Sequence, residues 1–440
     1  MSSFMVPSYS PPGLKILLSE NLWDCWREKG WVFEVPDLLP SIRYIRNKPE
    51  SCRLFVNGPV EGTAETAPQG MNLRFFSDLE TARSYHSKLL SKNLSSSQAE
   101  FTPFIDEEVL AVGLPFPGDE EIPQLRRIFE PSRFRRMLEP MLGTITYDHW
   151  RLQRSLTRHK LVAYKPGRRA VLRTKVKLRN LQEDLKVRKL LHLKVENRVS
   201  ISRSRNLALS ISHATENCEH FRTPRFLGTS PAMNIFGHEW VEGQHPDLQS
   251  PQIEEMIHKV GLAISEFHRI PLEISTHSPP QILAQEIEQI VEDLAEMIPD
   301  FRFDLLTLAN QIKSLIPNLN LIPSVLAHGD LHLNQVLLTD DTPYLLDFDR
   351  AGRGYAGMDL GSIMEDISGN GRFEHLAQHL VESYQTSALR KVTAEEILIG
   401  RSIACLRKAF QPFRSLSRTW QQEMQNSIEH CESLLRKGGV

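Results

Sequence analysis

The chain of 440 residues has few cysteines and no long apolar run. Its five cysteines are scattered without a Cys-x-x-Cys pair, which argues against a disulfide framework or a zinc site and fits a reducing cytosol. No stretch approaches the ~18 consecutive apolar residues of a membrane span. The first residues also lack the basic and apolar segments of a secretory signal. We therefore expect a cytoplasmic protein with no membrane partner, and the oligomeric state stays open.

Charge is unevenly distributed, although the net charge is only −2. Residues 241–440 contain 16 Lys and Arg against 28 Asp and Glu, whereas residues 151–210 contain 18 basic and three acidic residues. Such a basic stretch is either a solvated face or a phosphate-binding lobe that complements an acidic catalytic lobe. Its basic residues alternate with Leu and Val, which is more typical of strands than of a helix that follows phosphates. A nucleic-acid partner is therefore not expected.

Two short motifs carry the chemistry. Residues 328–338 read HGDLHLNQVLL, and residues 345–350 read LLDFDR. One carboxylate of such a pair can orient an attacking hydroxyl and accept its proton. An amide and the second carboxylate can hold the metal that neutralises the transferring charge. The spacing therefore predicts phosphoryl transfer from Mg-ATP to a hydroxyl group.

These motifs resemble the aminoglycoside phosphotransferase and choline kinase superfamily, whose members share the protein-kinase fold. The resemblance extends from about residue 145 to about residue 420. It implies ATP and Mg²⁺ as cofactors and a small-molecule hydroxyl, on a sugar or polyol, an aminoglycoside or an amino alcohol, as the acceptor. The string H-G-D-L-H-L-x-Q is similar to that of maltokinase-like enzymes.

The order of predicted elements indicates an α+β, protein-kinase-like bilobal fold. An N-terminal extension of unknown role covers 1–145, a small antiparallel-sheet lobe for the nucleotide covers 146–242, and a mainly helical catalytic and substrate lobe covers 243–440. Asp78 is a candidate N-cap of a helix over 78–90, and Pro131 to Leu138 is helix-like. Thr393 and Glu396 predict a capping box.

Asp330 is the candidate catalytic base, because it matches the residue that accepts the hydroxyl proton in the family. Gln335 lies five residues later, where the family usually has Asn, and is the candidate metal ligand; Asn334 is the rival. If both lie on a strand, their side chains point to opposite faces and only one can serve. Asp347 is the candidate second metal ligand, and Asp349 either adds to metal binding or forms a salt bridge.

Other polar residues near these motifs are assigned supporting roles. The resemblance implies that His328 supports the catalytic loop and that Asp359 braces it, and an N-cap explains Asp359 equally well. His332 orients the loop or contacts substrate. Arg350 is the salt-bridge partner available to Asp349.

Lys194 is the candidate for the lysine that binds the α- and β-phosphates, because an ammonium on an apolar strand requires a partner. Lys189 and Lys165 are its rivals. A kinase pairs this lysine with a helix Glu, but residues 200–215 contain none. Either Glu216 takes that role or the feature is lost.

The K-P-G-R-R hairpin at 165–169 occupies the position of the phosphate-covering loop but lacks the G-x-G-x-x-G pattern. Its backbone N–H groups around Gly167, or the side chain of Arg168, are candidates for phosphate contacts, and a plain solvated turn is the alternative. Glu239 to Val241 is the expected hinge that holds adenine through backbone groups.

Two rival functions remain open from the sequence. The Gln at the metal position and the missing helix Glu fit a catalytically inactive scaffold or binding protein. The basic small lobe would fit a protein or nucleic-acid kinase, but no A-P-E segment follows Asp347. The acidic helical region is compatible with a cationic acceptor, whereas the H-G-D-L-H-L string slightly favours a sugar or polyol.

Overall fold

The structure is a computed structural model in which the chain divides into two compact units. The sheet unit comprises Met1–Arg205 and Phe226–Trp240, and the helical unit comprises Asn206–Arg225 and Val241–Val440. The domain limits expected at 145/146 and 242/243 remain predictions. The described residues are 25–26, 28–29, 41–47, 51–57, 70–93, 102–129, 138, 141, 150–153, 158–230, 233–274, 279–339, 342–369, 371–415, 417 and 419–439.

A five-stranded antiparallel sheet forms the first part of the sheet unit. Its strands are ordered β1-β2-β3-β5-β4, and it is accompanied by helices α1 (Leu79–Asn93) and α2 (Leu125–Ile128). Asp78 caps α1 as predicted, because its Oδ1 accepts the backbone N–H of Thr81 at 2.7 Å. The helix expected at 131–138 lies largely outside the described residues. The strands are β1 (Ser41–Asn47), β2 (Ser51–Asn57), β3 (Gly70–Phe76), β4 (Phe104–Asp106) and β5 (Ala111–Pro115).

A second antiparallel sheet follows in the same unit. Its order is β10-β11-β9-β8-β6, with β7 also paired to β8. Apolar residues alternate along β8, so one face of this sheet lies on a core and the other carries polar side chains. The strands are β6 (Trp150–Leu152), β7 (Arg158–Lys165), β8 (Arg169–Asn180), β9 (Lys186–Glu196), β10 (Phe226–Ser230) and β11 (Ile235–Glu239).

The two sheets share one hydrophobic core. Phe55 of the first sheet packs edge-on against Tyr164 of the second, with ring centroids 4.7 Å apart, and Phe116 lies 5.2 Å from the same ring. Aromatic pairs of this kind contribute about 0.5–1.5 kcal/mol beyond the area they bury. The segment before residue 145 therefore packs directly on the sheet that carries Lys194.

The helical unit is built from long helices around a core of Ile, Leu, Val and Phe side chains. Two short strand pairs, β12–β15 and β13–β14, interrupt the helices at the H-G-D and D-F-D segments. Helix α3 (Ile201–Ala214) contains the boundary between the units. The remaining helices are α4 (Ile253–Arg269), α5 (Pro280–Met297), α6 (Arg302–Leu315), α7 (Ala356–Ser368), α8 (Glu374–Gln385), α9 (Ala394–Lys408), α10 (Gln411–Arg414) and α11 (Trp420–Lys437), and the strands are β12 (Val325–Ala327), β13 (Val336–Leu338), β14 (Pro343–Leu345) and β15 (Gly352–Gly354).

Helices α7 and α9 approach each other through glycines. A Cβ on Gly400 would overlap the carbonyl oxygen of Gly357, and one on Gly361 would overlap the backbone of Arg401. Thr393 caps α9, since its hydroxyl accepts the N–H of Glu396 at 3.1 Å. The Glu396 carboxylate does not close the expected reciprocal box; it accepts the Gly357 N–H at 2.9 Å and pairs with Arg390. Thr393 therefore caps the start of α9, and Glu396 links α9 to α7.

The predicted α+β class is confirmed: one unit is rich in antiparallel strands and the other is mainly helical. Within the described part of the chain, no helix combines the length and the apolarity that a bilayer span requires.

Candidate active site

The H-G-D segment leaves β12 through a tight backbone bend. Gly329 has φ +79°, a left-handed conformation that glycine adopts without strain. A Cβ at this position would lie 2.5 Å from the carbonyl oxygen of Arg350. Glycine therefore permits the chain around Asp330 to lie directly against the segment that follows Asp347.

The buried carboxylate of Asp359 holds this bend in place. Its carboxylate accepts the backbone N–H of His328 at 2.5 Å and that of Gly329 at 2.8 Å, and it lies 3.1 Å from Nε2 of His268. Burial alone would raise the pKa of Asp359, but the His268 hydrogen bond, the nearby imidazoles and the backbone N–H of His328 hold it below its usual value. The side chain lies on α7, so it fixes the H-G-D loop to a helix.

His268 is part of this network and was not identified from the sequence. It is buried on α4, with Nε2 toward Asp359 and Nδ1 3.0 Å from the hydroxyl of Tyr384. Burial raises the pKa of Tyr384 above its usual range, so the hydroxyl stays protonated. His268 and Asp359 are 91 positions apart, and no local pattern connects them.

His328 is buried and joins the two motifs. Its Nε2 lies 2.8 Å from the carbonyl oxygen of Leu346, and its ring centroid is 4.9 Å from that of Phe348. A contact with a carbonyl requires a proton on Nε2, so this nitrogen is the donor. Phe348 also lies 5.3 Å from Phe267. These contacts place the H-G-D and D-F-D segments side by side, which supports the structural role expected for His328.

Asp330 is well placed to reach an incoming molecule. Its side chain is 46% exposed, and its Oδ2 is 3.9 Å from Nε of Arg350. The backbone before it is fixed by Asp359, whereas the carboxylate itself projects from the loop. Arg350, expected as a partner of Asp349, thus lies near Asp330.

Gln335 and Asn334 lie in a 3₁₀ turn, Leu333–Gln335, rather than on a strand. The expectation that strand alternation would separate them is therefore wrong, because β13 begins only at Val336. Asn334 is exposed, whereas Gln335 is half-buried, with its Nε2 3.2 Å from Nε2 of His332. This contact uses the amide nitrogen, which leaves the Gln335 oxygen for a metal.

His332 is kept neutral by its surroundings. Burial lowers its pKa, and the carboxylates of Asp330 and Asp366 only partly oppose this effect. An uncharged ring with its proton on Nδ1 can accept the amide hydrogen of Gln335. The geometry therefore gives His332 a role in orienting Gln335.

Asp347 has φ +56°, a left-handed conformation that is uncommon outside glycine. The backbone before it is fixed because the N–H of Leu346 donates to the carbonyl of Gln335 at 2.9 Å. One backbone hydrogen bond thus links Gln335 to the residue that precedes Asp347. Asp347 and Asp349 are both half-buried.

In the sheet unit, Lys194 is 5% exposed and lies on β9, with its Nζ 6.0 Å from the centre of the Phe236 ring. Glu196, two residues further along the same strand, is also buried and was missed from the sequence. The K-V-E spacing places both side chains on one face of the strand, and this alternation could have revealed Glu196. Helix α3 contains no Glu, as its sequence already showed.

The 165–169 hairpin contains the expected Pro-Gly turn. Gly167 has φ +71°, and the N–H of Arg168 donates to the carbonyl of Lys165 at 3.0 Å. The N–H of Gly167, however, donates to the buried carboxylate of Asp119 at 2.8 Å. That group is therefore engaged within the protein, and the exposed Arg168 side chain remains the candidate for phosphate contact.

The expected adenine hinge follows β11. Glu239 is half-exposed, with its carboxylate 3.9 Å from Nζ of Lys189. The N–H of Trp240 donates to the carbonyl of Leu190 at 3.1 Å, which extends the β9–β11 pairing by one residue. Adenine binding at Glu239 and Val241 stays a prediction.

Residues 224–394 match the phosphotransferase enzyme family. This match contains the H-G-D and D-F-D segments, so it confirms the superfamily resemblance predicted from them. No curated protein matches the chain in sequence.

Several solved phosphotransferases are similar to this chain at low identity. A choline kinase from Cryptosporidium parvum is 14% identical, with 65% of this chain and 92% of that chain covered and a TM-score of 0.47. The choline kinase LicA from Streptococcus pneumoniae is 13% identical, with 68% and 99% covered and a TM-score of 0.47. The ADP-bound aminoglycoside phosphotransferase APH(2'')-Ib is 12% identical, with 68% and 96% covered and a TM-score of 0.41.

Proposed function

We propose that the protein is a small-molecule kinase that transfers a phosphoryl group from Mg-ATP to a hydroxyl. The observation that carries this proposal is the H-G-D bend. Asp359 fixes its backbone from the buried side while the Asp330 carboxylate stays 46% exposed at the surface of the loop. A rigid loop that presents one accessible carboxylate suits a general base, since proton transfer requires a held geometry and access to substrate.

In this mechanism Asp330 accepts a hydrogen bond from the acceptor hydroxyl, aligns its oxygen for attack and takes its proton as the new bond forms. The Asp359 and His268 pair keeps that carboxylate in place and does not contact substrate. Arg350, whose Nε lies 3.9 Å from Oδ2 of Asp330, can approach an anionic group of a ligand.

The donor atoms at the two motifs fit a magnesium ion. The amide oxygen of Gln335 and the carboxylate of Asp347 are hard oxygen ligands, the type that Mg²⁺ prefers, and Asp349 lies two residues further on. The ion would supply electrostatic neutralisation of the phosphates. The chain's own part is to orient both ligands, through His332 for the amide and through the Leu346 N–H for the backbone that joins them.

The phosphate-binding part is assigned to the sheet unit. Lys194 is a buried cation on a rigid central strand, and Arg168 is an exposed cation on a turn that Asp119 holds in place. We assign the α- and β-phosphates to Lys194, a further phosphate contact to Arg168, and adenine to the backbone from Glu239 to Val241.

The test compares the wild-type chain with Asp330→Asn, Asp347→Asn and the exposed control Glu382→Gln. Phosphate transfer from labelled ATP is measured against sugars and polyols, aminoglycosides and amino alcohols, and Mg-ATP binding is followed by thermal shift. Asp330→Asn should lower turnover by about 10²–10⁴-fold and keep the thermal shift. Asp347→Asn should lose the shift as well.

Other outcomes would identify the rival functions. Near-full turnover of Asp330→Asn would refute the assigned base. Mg-ATP binding without turnover on any acceptor class would favour the inactive, kinase-like binding protein. The Glu382→Gln control should match the wild type in both readouts, because its side chain is 79% exposed and far from the motifs in sequence.

A further inference from the structure

One face of the second sheet carries cations at every second position. On β8 these are Arg173, Lys175, Lys177 and Arg179, and the residues between them are buried. Lys186 and Arg188 continue the pattern on β9. We call these six residues the basic platform. Because side chains two apart on a strand share a face, the whole set projects from the side opposite the core.

The strand register brings these cations together in opposed pairs. Lys177 lies opposite Arg188, Arg179 lies opposite Lys186, and Arg173 lies opposite Lys160 of β7. Like charges directly opposite one another destabilise a sheet. Among the described residues, the only ion pair of the platform joins Arg179 to Asp184, both well exposed. The platform therefore keeps a strong positive charge.

A group of rings borders one end of the platform. The guanidinium carbon of Arg173 lies 5.0 Å above the ring of Trp240. His192, opposite Arg173 on β9, has its ring centroid 6.3 Å from that of Trp240 and 6.2 Å from that of His238. Trp240, His192 and His238 are only half-buried, so parts of their surfaces stay open. Proteins that bind single-stranded nucleic acids combine a row of cations with partly exposed rings. The cations contact the phosphates, and the bases stack on the rings.

We propose that the basic platform, with the rings at its end, binds single-stranded nucleic acid. The sequence did not favour such a partner because no basic helix was evident. The face of a β-sheet can also bind single-stranded nucleic acid. An anionic membrane fits less well. The turn of the β8–β9 hairpin does expose Leu181 and Leu185, but Glu183 and Asp184 lie between them and would be repelled by the lipid headgroups.

Binding is measured by fluorescence anisotropy with a labelled single-stranded oligouridine and the full chain, without ATP. The platform variant is Lys175→Glu/Lys177→Glu/Arg188→Glu. Its matched control, Arg372→Glu/Lys391→Glu/Lys437→Glu, makes the same change in net charge with exposed residues of the helical unit. At roughly 0.1 M salt the loss of three phosphate contacts should weaken binding about 100-fold and lower the salt slope by about 2. The control should stay within about threefold of the wild type.

Two further measurements separate this partner from other polyanions. Trp240→Ala should weaken oligouridine binding by about 5- to 150-fold through lost stacking and leave inorganic polyphosphate binding unchanged. Equal effects of platform and control variants would overturn the proposal. Preferential binding to phosphatidylserine vesicles would also overturn it. The same holds if Trp240→Ala binds both polyphosphate and oligouridine as tightly as the wild type does. Since no nucleotide or acceptor is present, a negative result leaves the kinase proposal untouched.

Discussion

Replacement of Asp359 by Asn removes the charge that holds the H-G-D bend in place. The native carboxylate accepts two backbone N–H groups, from His328 and Gly329, and faces His268. An Asn side chain keeps one acceptor oxygen but replaces the other with an NH₂ donor. The NH₂ group of the Asn would then face either one of the backbone N–H groups or the His268 ring, where the carboxylate now offers an acceptor. Asp359 is buried, so the side chain cannot rotate into solvent to avoid this contact.

The size of the effect follows from burial. Asp359 is 1% exposed, so water does not replace a lost partner. Removal of one member of a buried, hydrogen-bonded charge network typically costs about 3–5 kcal/mol. We therefore expect the free energy of unfolding of the helical unit to fall by about 3–5 kcal/mol. The control Glu382→Gln, with a side chain that is 79% exposed, should change it by less than about 0.5 kcal/mol.

Urea denaturation followed by circular dichroism measures this difference, and its pH dependence gives a second check. The pKa of Asp359 is lower in the folded than in the unfolded chain. Its stabilisation is therefore fully present above the ordinary Asp pKa of about 3.9 and is lost as the pH falls through the lower, folded value. A loss below about 1 kcal/mol near pH 7, or a loss that grows with acidity, would refute the reasoning.

Three further substitutions test local geometry. Gly167→Ala should destabilise the sheet unit by about 1–3 kcal/mol in thermal melts, since φ is +71° and the new Cβ would lie 2.5 Å from Nη1 of Arg53. Gly400→Ala should cost about 1–3 kcal/mol or more by forcing α9 from α7, and an unchanged Tm would contradict that contact. Thr393→Ala should cost about 1 kcal/mol in urea titrations through loss of the α9 cap, whereas Thr393→Ser should restore most of it.

Local patterns in the sequence were sufficient for most elements. Helix α4 spans 253–269 because its apolar residues recur at helical spacing and form one buried stripe, a pattern that is visible in the sequence. The strands around Lys194 followed from alternation of Leu and Val with charged residues. The turn at Gln335 was misjudged as strand because three residues are too few to show a period.

The site residues that the sequence analysis missed have hydrogen-bond partners far away in the sequence. His268 lies 91 positions from the carboxylate it faces, and Asp119 lies 48 positions from the Gly167 N–H that it accepts. Nothing in the local sequence marks either residue, since an isolated His or Asp has many roles. Only the packing of α4 on the H-G-D loop, and of the segment after β5 on the 165–169 hairpin, brings the partners within hydrogen-bond distance.

The sequence alone predicted the chemistry that we propose for the chain: a base carboxylate at 330, oxygen ligands for a metal at 335 and 347, and a cation on an apolar strand. These residue types act through their own functional groups, so spacing in the motifs was enough to indicate phosphoryl transfer. Tertiary structure alone decided which groups are already engaged. In the folded chain the Gly167 N–H donates to Asp119, and the N–H groups of His328 and Gly329 donate to Asp359. Strand register places opposed rows of cations on one face of a sheet. Hydrogen-bond partners and strand register depend on contacts between distant segments, and these form only when the chain is folded.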